Sequence, residues 1–257
     1  MRIKVLASGS KGNSTYIECG STKILIDAGI SFLQIKNSLS SINVDVNDIN
    51  IILITHSHAD HIKGLATLLR RTNITLYTTE EVFNDITKTI DVPRGHIIDE
   101  YFMFRDVLID VLPLSHDVSC NCYIIKYNEH ELVYITDTGY LNKRYFPRIK
   151  NKDVYIIEAN HDEVMLMNGP YPFILKQRIL SDKGHLSNEA TANILIKLVG
   201  SRTKYIFLAH ISEHNNTKEL ALKTVTDKLD EINFNHDNII LTDQYISLEM
   251  VEVWWLR

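Results

Sequence analysis

No uninterrupted apolar run in this 257-residue chain approaches the roughly 18 residues of a membrane-spanning helix. The opening residues Met1-Arg2-Ile3-Lys4-Val5-Leu6 lack the apolar core and small-residue cleavage site of a secretory signal. Cysteine is scarce, and Cys19, Cys120 and Cys122 are an odd number without disulfide-framework spacing, which fits a reducing compartment. A cytoplasmic protein with no membrane partner is the expectation. Five prolines scattered over the whole length mark no linker, and no repeat or low-complexity tract divides the chain, so one domain over residues 1–257 is expected. Positive charge is also short, with 27 Lys and Arg against 32 Asp and Glu for a net −5. That is not the basic footprint of a nucleic-acid binder, so a local positive field would have to come from elsewhere, and two divalent cations would supply it.

What the chain does have is short β-branched runs: residues 3–6, 15–18, 23–26, 51–54, 107–112, 123–126, 132–136, 154–157, 205–208, 239–241 and 246–253. Helical stripes lie between some of them, one through Phe32, Ile35, Leu39 and Ile42, another through Leu222, Val225, Leu229 and Ile232 behind a Thr217 N-cap. Ser187 is placed to cap a helix from Asn188 to Val199, with Gly200 as its C-terminal stop. So many strands fit an α/β protein with two packed sheets and helices outside them, a four-layer αββα sandwich, better than one doubly wound sheet. The tail with Trp254 and Trp255 reads as an amphipathic terminal strand.

The densest chemistry follows the apolar run Ile51-Ile52-Leu53-Ile54. His56, His58, Asp60 and His61 fall within six positions, and imidazole nitrogens with carboxylate oxygens suit zinc, manganese or iron. Ligands grouped so tightly need a distant set to complete a coordination sphere. Other apolar runs also end on polar residues: His116 after Val111-Leu112-Pro113-Leu114-Ser115, Asp137 after residues 132–136, Glu158 after Tyr155-Ile156-Ile157, and His210 after residues 206–209. Polar groups on strand ends let a rigid sheet hold a site while loops turn away beyond it. Cys120 and Cys122 read as small buried side chains at a strand start, not as ligands. His96, His130, His214 and His236 carry no assignment.

The order of Asp27 in Leu25-Ile26-Asp27, then His56-Ser57-His58-Ala59-Asp60-His61, His116, Asp137 in Thr136-Asp137-Thr138-Gly139, and His210 resembles the metallo-β-lactamase fold superfamily across nearly the whole chain. Longer strings narrow the resemblance to the YycJ/WalJ subfamily of bacterial metal-dependent DNA exonucleases. These are residues 6–14, the segment Glu158-Ala159-Asn160-His161-Asp162, residues 176–188, and Leu208-Ala209-His210-Ile211-Ser212 with Asn215-Asn216. Ala159 departs from the Ser more usual there.

The resemblance implies two divalent ions, zinc or manganese with iron as a third choice. His56, His58 and His116 would hold one, Asp60, His61 and His210 the other, and Asp137 would bridge them. A shared hydroxide would attack the phosphodiester, with Asp60 orienting it. Asp27 would accept an imidazole N–H from outside the ligand set. His185 resembles the histidine that RNase Z uses near the leaving group, and would donate a proton to the departing 3′-oxygen or stabilise phosphorane charge. Ser8, Ser10 and Asn13 of the glycine-rich loop, with Asn160, His161 and Asn216, are substrate-contact candidates. Lys176, Arg178 and Lys183 are cations that could meet phosphates. DNA is the expected substrate, with a homodimer left open. Rival readings are a small or cyclic phosphodiesterase, a thioester or lactam hydrolase, and a non-catalytic binding module. Only 73 positions separate Asp137 from His210, too few for a large inserted β-CASP domain.

Overall fold

A computed structural model describes residues 1–254; Trp255 of the expected terminal strand lies outside the described residues. In chain order the first elements are β1 (Arg2–Ala7), β2 (Ser14–Cys19), β3 (Thr22–Ile26), α1 (Phe32–Ser40), β4 (Ile51–Leu53), α2 (Ala59–Ile62) and α3 (Leu65–Arg71). There follow β5 (Thr75–Thr78), α4 (Glu80–Thr87), β6 (Gly95–Ile97), β7 (Tyr101–Phe104), β8 (Val107–Leu114), β9 (Cys120–Tyr127) and β10 (His130–Ile135). The remainder comprises α5 (Phe146–Ile149), β11 (Val154–Glu158), α6 (Glu163–Asn168), α7 (Phe173–Leu180), α8 (Asn188–Leu198), β12 (Tyr205–Ala209), α9 (Lys218–Asp230), β13 (Ile239–Leu241) and β14 (Val251–Glu252). They build two seven-stranded mixed sheets, β14-β1-β2-β3-β4-β5-β6 and β13-β12-β11-β10-β9-β8-β7.

The chain forms two compact units, one of Met1–Val111, Ile125–Glu129 and the segment from Asp243, the other of Leu112–Ile124 and His130–Thr242. Each has its own apolar core. In the first, Leu25, Ile52 and Leu76 from neighbouring strands pack with Ile35 and Leu39 of α1 and Leu65 and Leu68 of α3. Strands β3, β4 and β5 are parallel, with Ile26 opposite Leu53 and Leu53 opposite Tyr77, so their carboxyl ends finish side by side. In the second unit Val133, Tyr155, Ile157 and Leu208 pack against Ala192 and Leu195 of α8 and Val225 and Leu229 of α9. Strands β10 to β13 are parallel and almost wholly buried through β11 and β12, which is why they read as continuous apolar runs.

Both expected caps form: Ser187 accepts from the Ala190 amide and Thr217 from the Leu220 amide. Gly200 is not the expected stop. α8 leaves through an extended Val199, and Gly200 has no left-handed φ; it is small because an added Cβ would lie 2.3 Å from Asn151 Oδ1. The expected strand over residues 246–253 shrinks to β14 at Val251–Glu252, where it pairs with β1 only through Arg2 and Ile3. Trp254, beyond it, is exposed. Among the described residues no helix is long and apolar enough to cross a membrane.

Candidate metal-binding residues

In the first unit the carboxyl ends of β3 and β4 carry the chemistry. Parallel pairing brings Asp27, just after β3, beside Thr55, just after β4. Asp27 is fully buried; Oδ1 accepts the Thr55 amide at 2.8 Å, and Oδ2 lies 2.9 Å from Thr55 Oγ1 and 2.7 Å from His61 Nδ1. Burial pushes this carboxyl above the usual carboxylate range, against the pull of His61. Thr55 Oγ1 also lies 3.1 Å from His56 Nδ1, so one hydroxyl reaches the carboxylate and the first histidine.

Beyond His56 the chain makes one turn of helix. His58 sits at the N-cap of α2, and Asp60 and His61 lie inside it, with His61 Nε2 3.5 Å from Asp60 Oδ2. His56 Nε2 is 3.0 Å from His58 Nδ1. Gly29 permits this crowding: its absent Cβ would fall 1.6 Å from the Asp60 carbonyl oxygen, so any side chain would push α2 off the loop after β3.

In the second unit the same logic runs over three adjacent strands. Asp137 follows β10, Glu158 ends β11, and His210 follows β12; the parallel register sets Glu158 opposite Ala209, one residue before His210. His210 Nε2 lies 3.5 Å from Asp137 Oδ1, and His210 Nδ1 lies 3.8 Å from Glu158 Oε2. His185 Nδ1 is 3.1 Å from Glu158 Oε2 and 3.8 Å from Asp137 Oδ1, and its ring stacks on His210 at 5.2 Å between centroids. His116 Nδ1 faces the Gly184 carbonyl at 3.2 Å, and its ring meets His185 edge-on. Burial holds the His116 imidazole below its ordinary pKa, against the opposing charge of Asp137, which favours the neutral form a metal ligand requires.

Three of these residues are strained. Asp27, Asp137 and His210 have φ of 60°, 59° and 52°, in the left-handed region that disfavours side chains. Most other non-glycine residues there are asparagines of turns. Strain at three strand ends that also carry ionisable side chains marks where the backbone is bent to aim a group.

Glu158 escaped the sequence reading as a site residue, although its place at the end of an apolar run was the available signal. It is fully buried, and its Oε1 accepts the amides of Thr138 at 2.7 Å and Leu186 at 3.1 Å. Most of the expected substrate contacts are engaged within the protein. Asn13 is fully buried, its amide bonded to the Gly9 backbone and lying 3.0 Å from His61 Nε2, so it braces the loop. Asn160 Nδ2 sits 3.0 Å from both the ring Nδ1 and the carbonyl of His210. Asn216 pairs reciprocally with Asn188 and holds the Ala159 carbonyl. Ser8 is buried, and of this set only Ser10 is exposed. His161 is buried with both ring nitrogens lacking a protein hydrogen-bond partner, and burial pushes its pKa down to about 4. Arg178 is engaged by Asp117, Lys176 donates to the Met167 carbonyl, and Lys183 is exposed.

The donor chemistry of the second unit, taken alone, fits a divalent cation. Buried imidazoles and carboxylates converge after β4 in the first, and in the second the ligating atoms of His116, Asp137 and His185, and of Glu158, His185 and His210, lie within 4.8 Å of one another. A set of this kind without a cation would bury charge at high cost. Cys120 and Cys122 are buried thiols at the start of β9.

A family model described as Beta-lactamase superfamily domain matches residues 22–211. The exodeoxyribonuclease WalJ of Streptococcus pneumoniae serotype 2 is 42% identical over 236 residues, 89% of this chain and 88% of that protein. The exodeoxyribonuclease YycJ of Bacillus anthracis is 37% identical over 240 residues, 91% of each. Among solved structures, the metallo-beta-lactamase fold protein YhfI from Bacillus subtilis superposes with a TM-score of 0.73 over 96% of this chain and 98% of that one, at 17% identity. That last likeness establishes the fold alone.

Proposed function

The chain belongs to the β-lactamase superfamily and to the WalJ/YycJ family within it, and from that membership we propose that it is a metal-dependent phosphodiester hydrolase, a DNA exonuclease working in the cytoplasm as a single domain. The observation that carries the reading is the His185 imidazole, held on a buried carboxylate and stacked on His210. A proton donor at that place serves a departing alkoxide, and a phosphodiester cut produces one.

The ligand assignment of the resemblance stands as the proposal: His56, His58 and His116 for one ion, Asp60, His61 and His210 for the other, with Asp137 shared. Zinc or manganese suits that donor set, with iron third. When bound, two such ions supply Lewis acidity at the phosphoryl oxygens and lower the pKa of water from about 15.7 towards 7. The protein's own groups do the rest. Asp60 orients the attacking water. Asp27 fixes the His61 ring through Nδ1, and Glu158 fixes His185 the same way, leaving Nε2 of His185 for the 3′-oxygen.

The test incubates purified protein with manganese or zinc against end-labelled single-stranded and duplex DNA, RNA and bis-p-nitrophenyl phosphate. Stepwise shortening of DNA is expected. Hydrolysis of the small ester with every polynucleotide intact would refute the exonuclease reading in favour of a small phosphodiesterase.

A further inference from the structure

We propose that a groove in the second unit, between α5 and the carboxyl end of α8, docks a single strand of nucleic acid at a distance from the catalytic groups. The proposal deepens the exonuclease reading and rests on it for the choice of strand. The open groove has a volume of about 500 Å³; its apolar lining is Phe146, Pro147, Ile196 and Val199, and its charged lining is Lys143, Lys150 and Lys197.

These three lysines are exposed and form no ion pair among the described residues. Just beyond the groove the pattern reverses, because Lys152, Arg202 and Lys204 are all tied to Glu131 or Asp153. Residues 143–152 hold five Lys and Arg and no acid, interleaved with Tyr145 and Phe146. Converging ammonium groups repel one another in the free protein, and a polyanion threaded between them relieves that repulsion while releasing its own counterions. The apolar lining selects among polyanions. A duplex hides its bases, whereas a single strand can lay a base or sugar on Phe146 and Pro147 while its phosphates meet the lysines.

Position supports a role beyond the cut itself. α8 begins at Asn188, three residues after His185, and runs to Leu198 at the groove, about 16 Å at 1.5 Å per residue. A strand of several nucleotides spans that distance, and a dinucleotide does not. Affinity should therefore rise with substrate length, while chemistry on the shortest substrates ignores the groove.

The experiment measures binding apart from turnover. Fluorescence anisotropy with a labelled thymidine oligonucleotide of about 20 nucleotides is followed across a salt series for the wild-type protein and for the triple variant Lys143→Ala/Lys150→Ala/Lys197→Ala. At about 0.7 decades per phosphate contact on a single strand, three lost contacts should weaken binding about 100-fold at 0.1 M salt and flatten the log–log slope by about 2. Hydrolysis of bis-p-nitrophenyl phosphate should stay as in the wild type. Unchanged affinity and slope would overturn the proposal. So would loss of binding to phosphatidylglycerol vesicles with oligonucleotide binding retained, which would make the groove a membrane contact. If the wild type binds the strand, the variant does not, and neither cuts DNA, the groove stands and the exonuclease reading falls.

Discussion

Asp27 and Glu158 stand outside the proposed ligand set, yet each is fully buried, accepts backbone amides and faces an imidazole Nδ1. Asp27 was legible in the sequence because it heads a familiar order of motifs. Glu158 was not, since a glutamate after an apolar run has the same letters whether it points into a site or to solvent. His185→Ala is expected to lower kcat about a hundred- to ten-thousand-fold with metal content unchanged, read by single-turnover kinetics alongside elemental analysis. Glu158→Gln keeps a similar shape but removes the charge facing His185, and about a ten- to hundredfold loss of activity or metal affinity should follow. His161 makes a different prediction. Its folded pKa is pushed down to about 4 by burial, below the ordinary 6.5, so the unfolded chain binds the extra proton first. The stability it contributes is complete above about pH 6.5 and drains away as pH falls towards 4, up to about 3 kcal/mol. Urea midpoints measured across that range should fall, and fall less steeply in His161→Gln.

Among elements, the strands were more legible than the helices, down to the three-residue β4 and β13. Strands β10 to β12 announce themselves as nearly continuous apolar runs, and helices α8 and α9 by their N-caps, both of which form. Helices α2, α5 and α6 have 4, 4 and 6 residues, too few for an apolar stripe, and their placement follows from tertiary packing. The terminal run over 246–253 has strand-like letters, but β1 gives it only two partners. The two caps separate stability from chemistry. Ser187→Ala and Thr217→Ala should each cost about 1 kcal/mol in denaturant titrations. Only the first should also slow catalysis, because Ser187 bonds Glu163 as well as the Ala190 amide and stands two residues beyond His185. Equal kinetic effects from both variants would show that the cap near His185 has no special part in positioning it.

At the scale of the whole molecule, the metal should act as a folding ligand as well as a reagent. A cation at a hundred times its dissociation constant adds about 2.7 kcal/mol. For a protein of this size that corresponds to a melting shift of about 5–10 °C. Scanning calorimetry with chelator and then with manganese or zinc restored should show that loss and its recovery, within one transition if residues 1–257 are a single domain. Two separate transitions, one for each apolar core, would refute that. The α/β class and the ligand candidates were readable because apolar runs end on histidine and aspartate; the braces of Asn160 and Asn216 were hidden because their partners lie far off in sequence. The left-handed backbone at Asp137 and His210 has an evolutionary corollary. Glycine or asparagine would sit there with less conformational resistance, so the most durable sequence for this fold and the most active one differ at those positions. A library screened for heat resistance without metal should drift toward such replacements and arrive at sturdier, inert proteins.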